Sequence, residues 1–333
     1  MNATVIGGMV LGLGIAAGLN VYGAVAAIGV ASRVGWLDLA PALRGLHSPI
    51  VIGSAALLFL IDAYADRAAR TQRWWGAVHT IVRPLAAASL TAVALFGTPA
   101  APSAWMWSAA ALAAGAVALF VHASKAGARL LLAVSGDVRR NRAVGWAEDG
   151  LAVLLGPIAL ARPGVALWAA SVLLVGLVVF GRWLWRAFLL GPRSLAALGS
   201  GFFGSRGWRD DGDLPAWVAS ALEPLAPGQA RHRGARASLH GAPGRFRNGW
   251  LVVGGKGPCF LFRGSSGRVR AVPLASARCG EVMRDAWVDR LALGTNGTDS
   301  TLFLLKDGPD AVAVRRHFAP DAPGSRAASA ERG

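Results

Sequence analysis

Apolar residues run in six long blocks through the first 190 positions, then alternate with polar residues in short stretches. Residues 5–30 are uncharged and longer than the ~20 helical residues that cross a ~30 Å hydrocarbon layer. Residues 49–61 make a shorter block that ends at Asp62, and residues 85–98 follow His79, Arg83 and Pro84. Residues 105–121 continue through His122, Lys125 and Arg129 to Val134. Residues 150–161 follow Glu148-Asp149 and contain Gly156-Pro157, and residues 165–181 are again uncharged. The pattern predicts an α-helical polytopic membrane bundle of about six transmembrane or re-entrant helices. Blocks 49–61 and 150–161 reach crossing length only through their polar flanks, which must then face the bundle; if both turn back instead, four crossings remain.

Beyond residue 200 the period changes. Asp213-Leu214-Pro215 opens a short helix to about residue 225, with Asp suited to an N-cap and Pro to the first turn. Strand-like runs follow at 229–239, 246–253, 258–263, 268–274, 287–294 and 301–306. Glycine-rich turns separate them, and Asn296-Gly297 is a strong hairpin signal because both central residues of a type I′ turn need positive φ. Residues 310–318 read as a short amphipathic helix. The expected organisation is a transmembrane domain (1–199), a linker with a short helix (200–228), a β-rich, barrel-like soluble domain closed by a helix (229–318) and a disordered tail (319–333). Gly199-Ser200-Gly201 and Gly204-Ser205-Arg206-Gly207 would be the joint.

Charge fixes an orientation. The 333 residues are 54% apolar with a formal charge of +16, and the mean hydropathy is +0.46. The arginines concentrate in stretches 67–73, 139–142 and 182–193, whereas 97–104 has no charge. Positive charge in short loops marks the cytoplasmic side and meets anionic lipid, which accounts for the excess without nucleic acid. Six crossings of a bacterial inner membrane would then leave both termini and the C-terminal domain cytoplasmic, with residues 31–48 outside. Trp36, Trp105 and Trp107 would mark the outer interface, and Trp74, Trp75, Trp146, Trp183 and Trp185 the inner one. Cys259 and Cys279 have no metal-ligand company. Met1-Asn2-Ala3-Thr4 has no basic n-region, so the first block reads as a retained span.

The polar residues inside these blocks are the candidate site, because each charged group costs about 2.5–3.5 kcal/mol in hydrocarbon unless sheltered. Asn20 in the first block needs a partner, with Tyr22 beside it. Asp62 and Asp66 share a helical face at i, i+4; Arg70 one turn on makes an ion-pair ladder the alternative to an ion-binding carboxylate. His79 and Arg83 repeat the spacing, and Pro84 frees the carbonyl of Thr80. His122, Lys125 and Arg129 form one cationic stripe, which snorkelling at the interface would also explain. Glu148 and Asp149 precede an apolar helix, where the helix dipole favours them. Gly8…Gly12 and Gly14…Gly18 flatten the first helix for close packing. Each half pairs a long block bearing a polar patch with a short block beside two acids, the pattern of an inverted duplication around a midplane site.

These motifs carry a resemblance. Residues 17–22, Arg33-Val34-Gly35-Trp36, Ser48-Pro49, Asp62 with Asp66, residues 79–84, residues 122–129 and Glu148-Asp149 resemble the domain of unknown function 4126 over about residues 5–190. The resemblance implies a multi-spanning bacterial membrane protein and brings no activity with it. The tail is similar to bacterial pleckstrin-homology-like domains through Asn248-Gly249-Trp250-Leu251-Val252-Val253 and Phe260-Leu261-Phe262, although six strands are legible where that fold has seven. Three function classes follow. The first is a transporter or permease acting on a small solute or lipid; the second is a membrane anchor whose tail binds a protein or anionic lipid. The third is an intramembrane enzyme acting on lipid headgroups, for which neither a nucleophile nor a metal motif is present. No organic cofactor and no metal is expected.

Overall fold

The computed structural model describes the chain apart from residues 1, 66–71, 97–102, 136–137, 204–205, 224–231, 242–244, 255–256, 265, 285–286, 296–297 and 321–333. Asp66, the Asn296-Gly297 turn and nearly all of the 319–333 tail thus lie outside the described residues. The chain forms two compact units, Met1–Phe188 and Leu189–Gly333.

The first unit contains α1 (Ala3–Arg33), a 3-10 helix (Pro41–His47), α2 (Pro49–Ala65), α3 (Gln72–Phe96), α4 (Ala104–Ser135), α5 (Val138–Ala161) and α6 (Pro163–Phe188). Five of these helices are long and apolar enough to cross a membrane, and the 3-10 helix with α2, bent by 66°, would make a sixth. The unit is apolar outside and charged within. Leu60, Trp168 and Val172 are 63%, 77% and 69% exposed, while Asp62 and Arg83 are 0% and 1% exposed. A surface of that kind is suited to acyl chains and not to water, and the chain is a membrane protein.

The direction of each helix follows from its contacts, and α1 is the exception to the expected order. At Asn20 its backbone leaves the helix, with φ −159° and ψ 98°. Before the break, Gly8 meets Pro163 and Gly12 meets Ala159, so the first arm (3–19) runs against α5. In a straight helix Ala24 would lie ~18 Å beyond Gly12. Instead Ala24 packs on Gly156, one turn from Ala159. The second arm (21–33) therefore turns back toward the end where α1 began. α2 then runs away from that end, antiparallel to the second arm, with Gly29 against Ile52 and Gly23 against Phe59.

From α2 to α6 the helices alternate. Gly14 and Gly18 seat on Val117 and Val121, so the first arm and α4 run the same way. Gly115 of α4 meets Pro84 and Ala88, setting α3 opposed, and Gly127 meets Leu184, setting α6 parallel to α4. Five passes follow a doubled-back α1, in place of six with both ends of the helical domain on one side. The two long helices that the sequence pairs across the halves, α1 and α4, run in one direction, whereas an inverted duplication would oppose them. The glycine pairs divide their work: Gly8 and Gly12 admit α5 and its junction with α6, while Gly14 and Gly18 admit α4.

The second unit opens with α7 (Leu190–Phe203), β1 (Arg209–Asp210), a 3-10 turn (Asp211–Asp213) and α8 (Ala216–Leu222). Strands β2 (Arg233–Gly241), β3 (Arg245–Gly254), β4 (Gly257–Arg263) and β5 (Val269–Pro273) form one antiparallel meander, β6 (Arg278–Arg284), β7 (Val288–Thr295) and β8 (Thr298–Leu305) form a second, and β2 pairs with β8 to join them. The short α9 (Ala311–Arg315) and β9 (Ala319–Pro320) follow them. Strand order is β5-β4-β3-β2-β8-β7-β6-β9, so the sheet is open, with β5 and β9 at its edges, and is not the closed barrel expected. Leu251, Phe260, Leu291 and Leu302 fill its core, closed by Val314 of α9. Asp310 caps α9 by accepting from the Val312 amide at 2.7 Å.

The short strands β1 and β9, the latter inside the stretch expected to be disordered, are additions to the sequence reading, and two longer elements differ from it. β6 was not expected because its register shifts between Cys279 and Val282 and only Cys279 is buried, which erases the alternation. α7 continues through Gly199 and Gly201 where a glycine-rich joint was expected. Gly201 is needed for packing there, since a Cβ would stand 3.1 Å from the Lys306 carbonyl.

Candidate functional site

The break in α1 creates the site. A helical residue four places before a break has its carbonyl left without an amide partner. Asn20 starts the second arm as an N-cap: its Oδ1 accepts from the Gly23 amide at 3.1 Å, and its Nδ2 donates to Asp149 Oδ1 at 3.0 Å. The carbonyls of Gly18 and Leu19, at the end of the first arm, turn to side chains from other helices. Arg83 Nη1 donates to both, at 3.0 and 2.8 Å, and Lys125 Nζ donates to Leu19 at 2.9 Å.

Two donors from α3, with an imidazole beside them, meet one carboxylate from α2. Arg83 Nη2 lies 3.0 and 2.9 Å from the two oxygens of Asp62. Trp75 Nε1 donates to Oδ1 at 2.5 Å, and His79 Nε2 stands 3.8 Å from the same oxygen. Trp75, His79 and Arg83 are spaced i, i+4, i+8, so a single face of α3 presents all three. His79 Nδ1 donates to the Trp75 carbonyl at 2.8 Å, which leaves Nε2 to accept from Tyr22 Oη at 3.1 Å. His122 is fixed in the same way. Its Nε2 donates to the Gly76 carbonyl at 3.1 Å, and its Nδ1 faces Arg83 Nη1 at 3.3 Å as an acceptor. These partners suit neutral imidazoles in both positions.

A second group lies between α4 and α5. Arg129 donates to Glu148 Oε2 through Nη2 at 2.6 Å and Nε at 3.2 Å, and Lys125 Nζ is 3.9 Å from the same oxygen. Asn141 accepts from Arg129 Nη1 at 3.4 Å. Lys125 connects this group to the Leu19 carbonyl and hence to Arg83. His122, Lys125 and Arg129 are 4%, 6% and 3% exposed, so the cationic stripe turns into the bundle instead of snorkelling to its rim.

Of the residues singled out in the sequence, Asn20, Tyr22, Asp62, His79, Arg83, His122, Lys125, Arg129, Glu148 and Asp149 all join this network. Asp66 lies outside the described residues. Trp75, the Thr80 hydroxyl, Asn141 and the carbonyls of Gly18 and Leu19 are not among those candidates. Trp75 reads from the sequence as an interfacial anchor, yet its indole N–H points at Asp62; its spacing from His79 was the available signal. Thr80 donates to Gly76 at 2.9 Å and stands 3.3 Å from His122. The Gly18 and Leu19 carbonyls have no side-chain signature at all.

One donor in the network is unspent. Arg83 Nε is buried without a hydrogen-bond partner. Among the described residues no three His, Cys, Asp or Glu side chains are grouped as a metal site needs. A recess of about 370 Å³ lies elsewhere, between Val10 and Leu11 of α1 and Met106 and Ala110 of α4, and its walls are apolar.

No curated protein and no solved structure matches the chain. A family model described as a domain of unknown function (DUF4126) matches residues 8–186, a span that holds every residue of the network. Matched over more than half its length, the chain belongs to the DUF4126 family.

Proposed function

We propose that the chain is a transporter- or permease-like membrane protein whose solute passes through the polar network at the α1 break. The observation that carries this reading is the meeting of Arg83 and Lys125 on carbonyls released by Asn20. Broken helices that end inside a bundle, with charged groups gathered on their free backbone, are a recurrent solution for solute and ion sites at bilayer depth. A purely structural helix pair gains little from buried ion pairs, because desolvation offsets most of their attraction.

Arg73 at the start of α3, Arg139, Arg140 and Arg142 at the start of α5 and Arg186 at the end of α6 all belong to the end of the unit opposite the start of α1. By the positive-inside rule that end is cytoplasmic. The start of α1 is then outside, and the second unit, which follows α6, is cytoplasmic. Its two antiparallel meanders of four and three strands, joined through β2 and β8 and followed by a short helix, support a pleckstrin-homology-like reading, and anionic lipid or a protein is its proposed partner.

Reconstituted full-length protein, screened for uptake of labelled amino acids, organic acids, phosphates and metal cations, is expected to move at least one class. Asp62→Asn should remove that flux in a protein that stays monodisperse. Rates equal to empty vesicles across the panel would overturn the reading.

A further inference from the structure

The donors and charges at the α1 break specify which solute the site takes, an inference that rests on the transport reading. In the buried network, Arg83, Lys125 and Arg129 supply three positive charges, and Asp62, Glu148 and Asp149 supply three negative ones. Asp62 is the carboxylate that both meets Arg83 Nη2 and accepts from Trp75, so its departure takes one negative charge away from Arg83.

Asp62 differs from the other two acids in how it is held. Glu148 and Asp149 sit side by side on α5, which packs along the first arm of α1 and is engaged with Arg129 and Asn20. Asp62 comes from α2, whose Leu57, Leu60, Ile61 and Tyr64 are 59%, 63%, 41% and 73% exposed. α2 is thus a peripheral helix that reaches the network with one carboxylate. The seat that this carboxylate fills is built almost wholly by another helix: Arg83 Nη2 on both oxygens, the Trp75 indole on one, His79 3.8 Å away.

We propose that the Trp75–His79–Arg83 face of α3 is a binding seat for a carboxylate, filled here by Asp62, and that the solute is a small organic monocarboxylate which takes the seat when α2 withdraws. A solute with one negative charge restores to Arg83 what the departing Asp62 carboxylate removes. A cationic solute would meet Arg83 without its carboxylate. The geometry favours a planar carboxylate, because a guanidinium nitrogen and an indole N–H meet the oxygens of one flat group. Arg83 Nε, buried at a residue 1% exposed and without an acceptor, adds a donor that Asp62 does not use and an incoming carboxylate can. The amino end of the second arm of α1, capped by Asn20 and carrying Tyr22 in its first turn, adds favourable potential for an anion.

The test uses full-length protein in detergent and in vesicles, with formate and acetate as probes and sodium chloride at equal ionic strength as control. Asp62→Ala removes the built-in carboxylate. Thermal stabilisation by formate or acetate is expected to be at least tenfold more sensitive in this variant than in the wild type, and to vanish in Asp62→Ala/Arg83→Gln. Methyl phosphate and sulfate should stabilise it no more than chloride. If Asp62→Ala does not survive purification in chloride, its recovery as a monodisperse protein in formate gives the same readout. Equal response to chloride, sulfate and formate, or persistence without Arg83, would overturn the seat. Labelled acetate counterflow through wild-type vesicles then separates the two claims. Movement of another solute class without acetate refutes the monocarboxylate and leaves transport standing, while acetate binding without any flux refutes transport and leaves the seat.

Discussion

Arg83 and Lys125, carried by neighbouring antiparallel helices, donate to the same oxygen, the carbonyl of Leu19, at 2.8 and 2.9 Å. Two cations share one acceptor only where negative charge flanks both. Asp62 supplies it beside Arg83, and Glu148 lies 3.9 Å from Lys125. The carbonyl is open to them because Asn20 breaks α1 one residue later. A sequence choice at one position thus frees backbone acceptors, and residues on three other helices answer it.

Asn20 is expected to be sensitive in a graded manner. Asn20→Ala removes an N-cap, about 0.5–2 kcal/mol, and strips a donor from Asp149. Asn20→Asp keeps the cap but opposes a carboxylate to Asp149 in a buried site. Thermal unfolding in detergent should rank wild type above Asn20→Ala and Asn20→Asp below both. An Asn20→Asp variant as stable as the wild type would contradict the assignment.

Glycines of the first arm should differ sharply from those on the rim. A Cβ at Gly18 would stand 2.8 Å from the Ala118 carbonyl, whereas nothing lies within 4 Å of one at Gly53. Gly18→Val is expected to prevent recovery of a monodisperse protein, and Gly53→Val to behave as wild type in size-exclusion chromatography.

The reversal of α1 has a topological consequence. In a background lacking Cys259 and Cys279, single cysteines at Ala3 and Gly35, which bracket α1, should react with an impermeant maleimide from one side of the membrane. A cysteine at Arg140 should react from the other. Opposite sidedness for 3 and 35 would restore a straight, crossing α1.

The C-terminal unit should lose stability on acidification. Burial lowers the pKa of His240 below its ordinary 6.5, and its Nδ1 has no hydrogen-bond partner. The unfolded chain therefore takes up a proton that the folded one resists. This contribution is whole above pH 6.5 and shrinks as pH falls below it, down to the depressed folded value. Chemical denaturation of the unit within the full chain should show that decline, and His240→Gln should flatten it.

Much of this site is visible in the residues alone, and what is hidden has physical reasons. A charge inside an apolar block must find a partner, so Asp62, Arg83, Lys125 and Arg129 identify themselves. Their partners are less legible. Trp75 sits among arginines near a helix start, where an interfacial indole is equally at home. The Leu19 carbonyl is backbone and leaves no mark. The fold of α1 turns on one asparagine in a block of uniform hydropathy, and hydropathy alone cannot separate a straight span from two arms. In the tail, strands with buried alternation such as β4 are plain, while β6 is concealed by its bulge and α7 by its glycines.

The account stands or falls on Asp62 and Arg83 meeting inside the bundle, and a double-mutant cycle in thermal or chemical unfolding measures that directly. Asp62→Asn and Arg83→Gln should each destabilise by about 3–5 kcal/mol, the cost of leaving one buried charge unpaired. The double variant should fall well short of their sum, with a coupling above about 1 kcal/mol. Additivity within about 0.5 kcal/mol, the behaviour of distant sites, would contradict the pairing and with it the site.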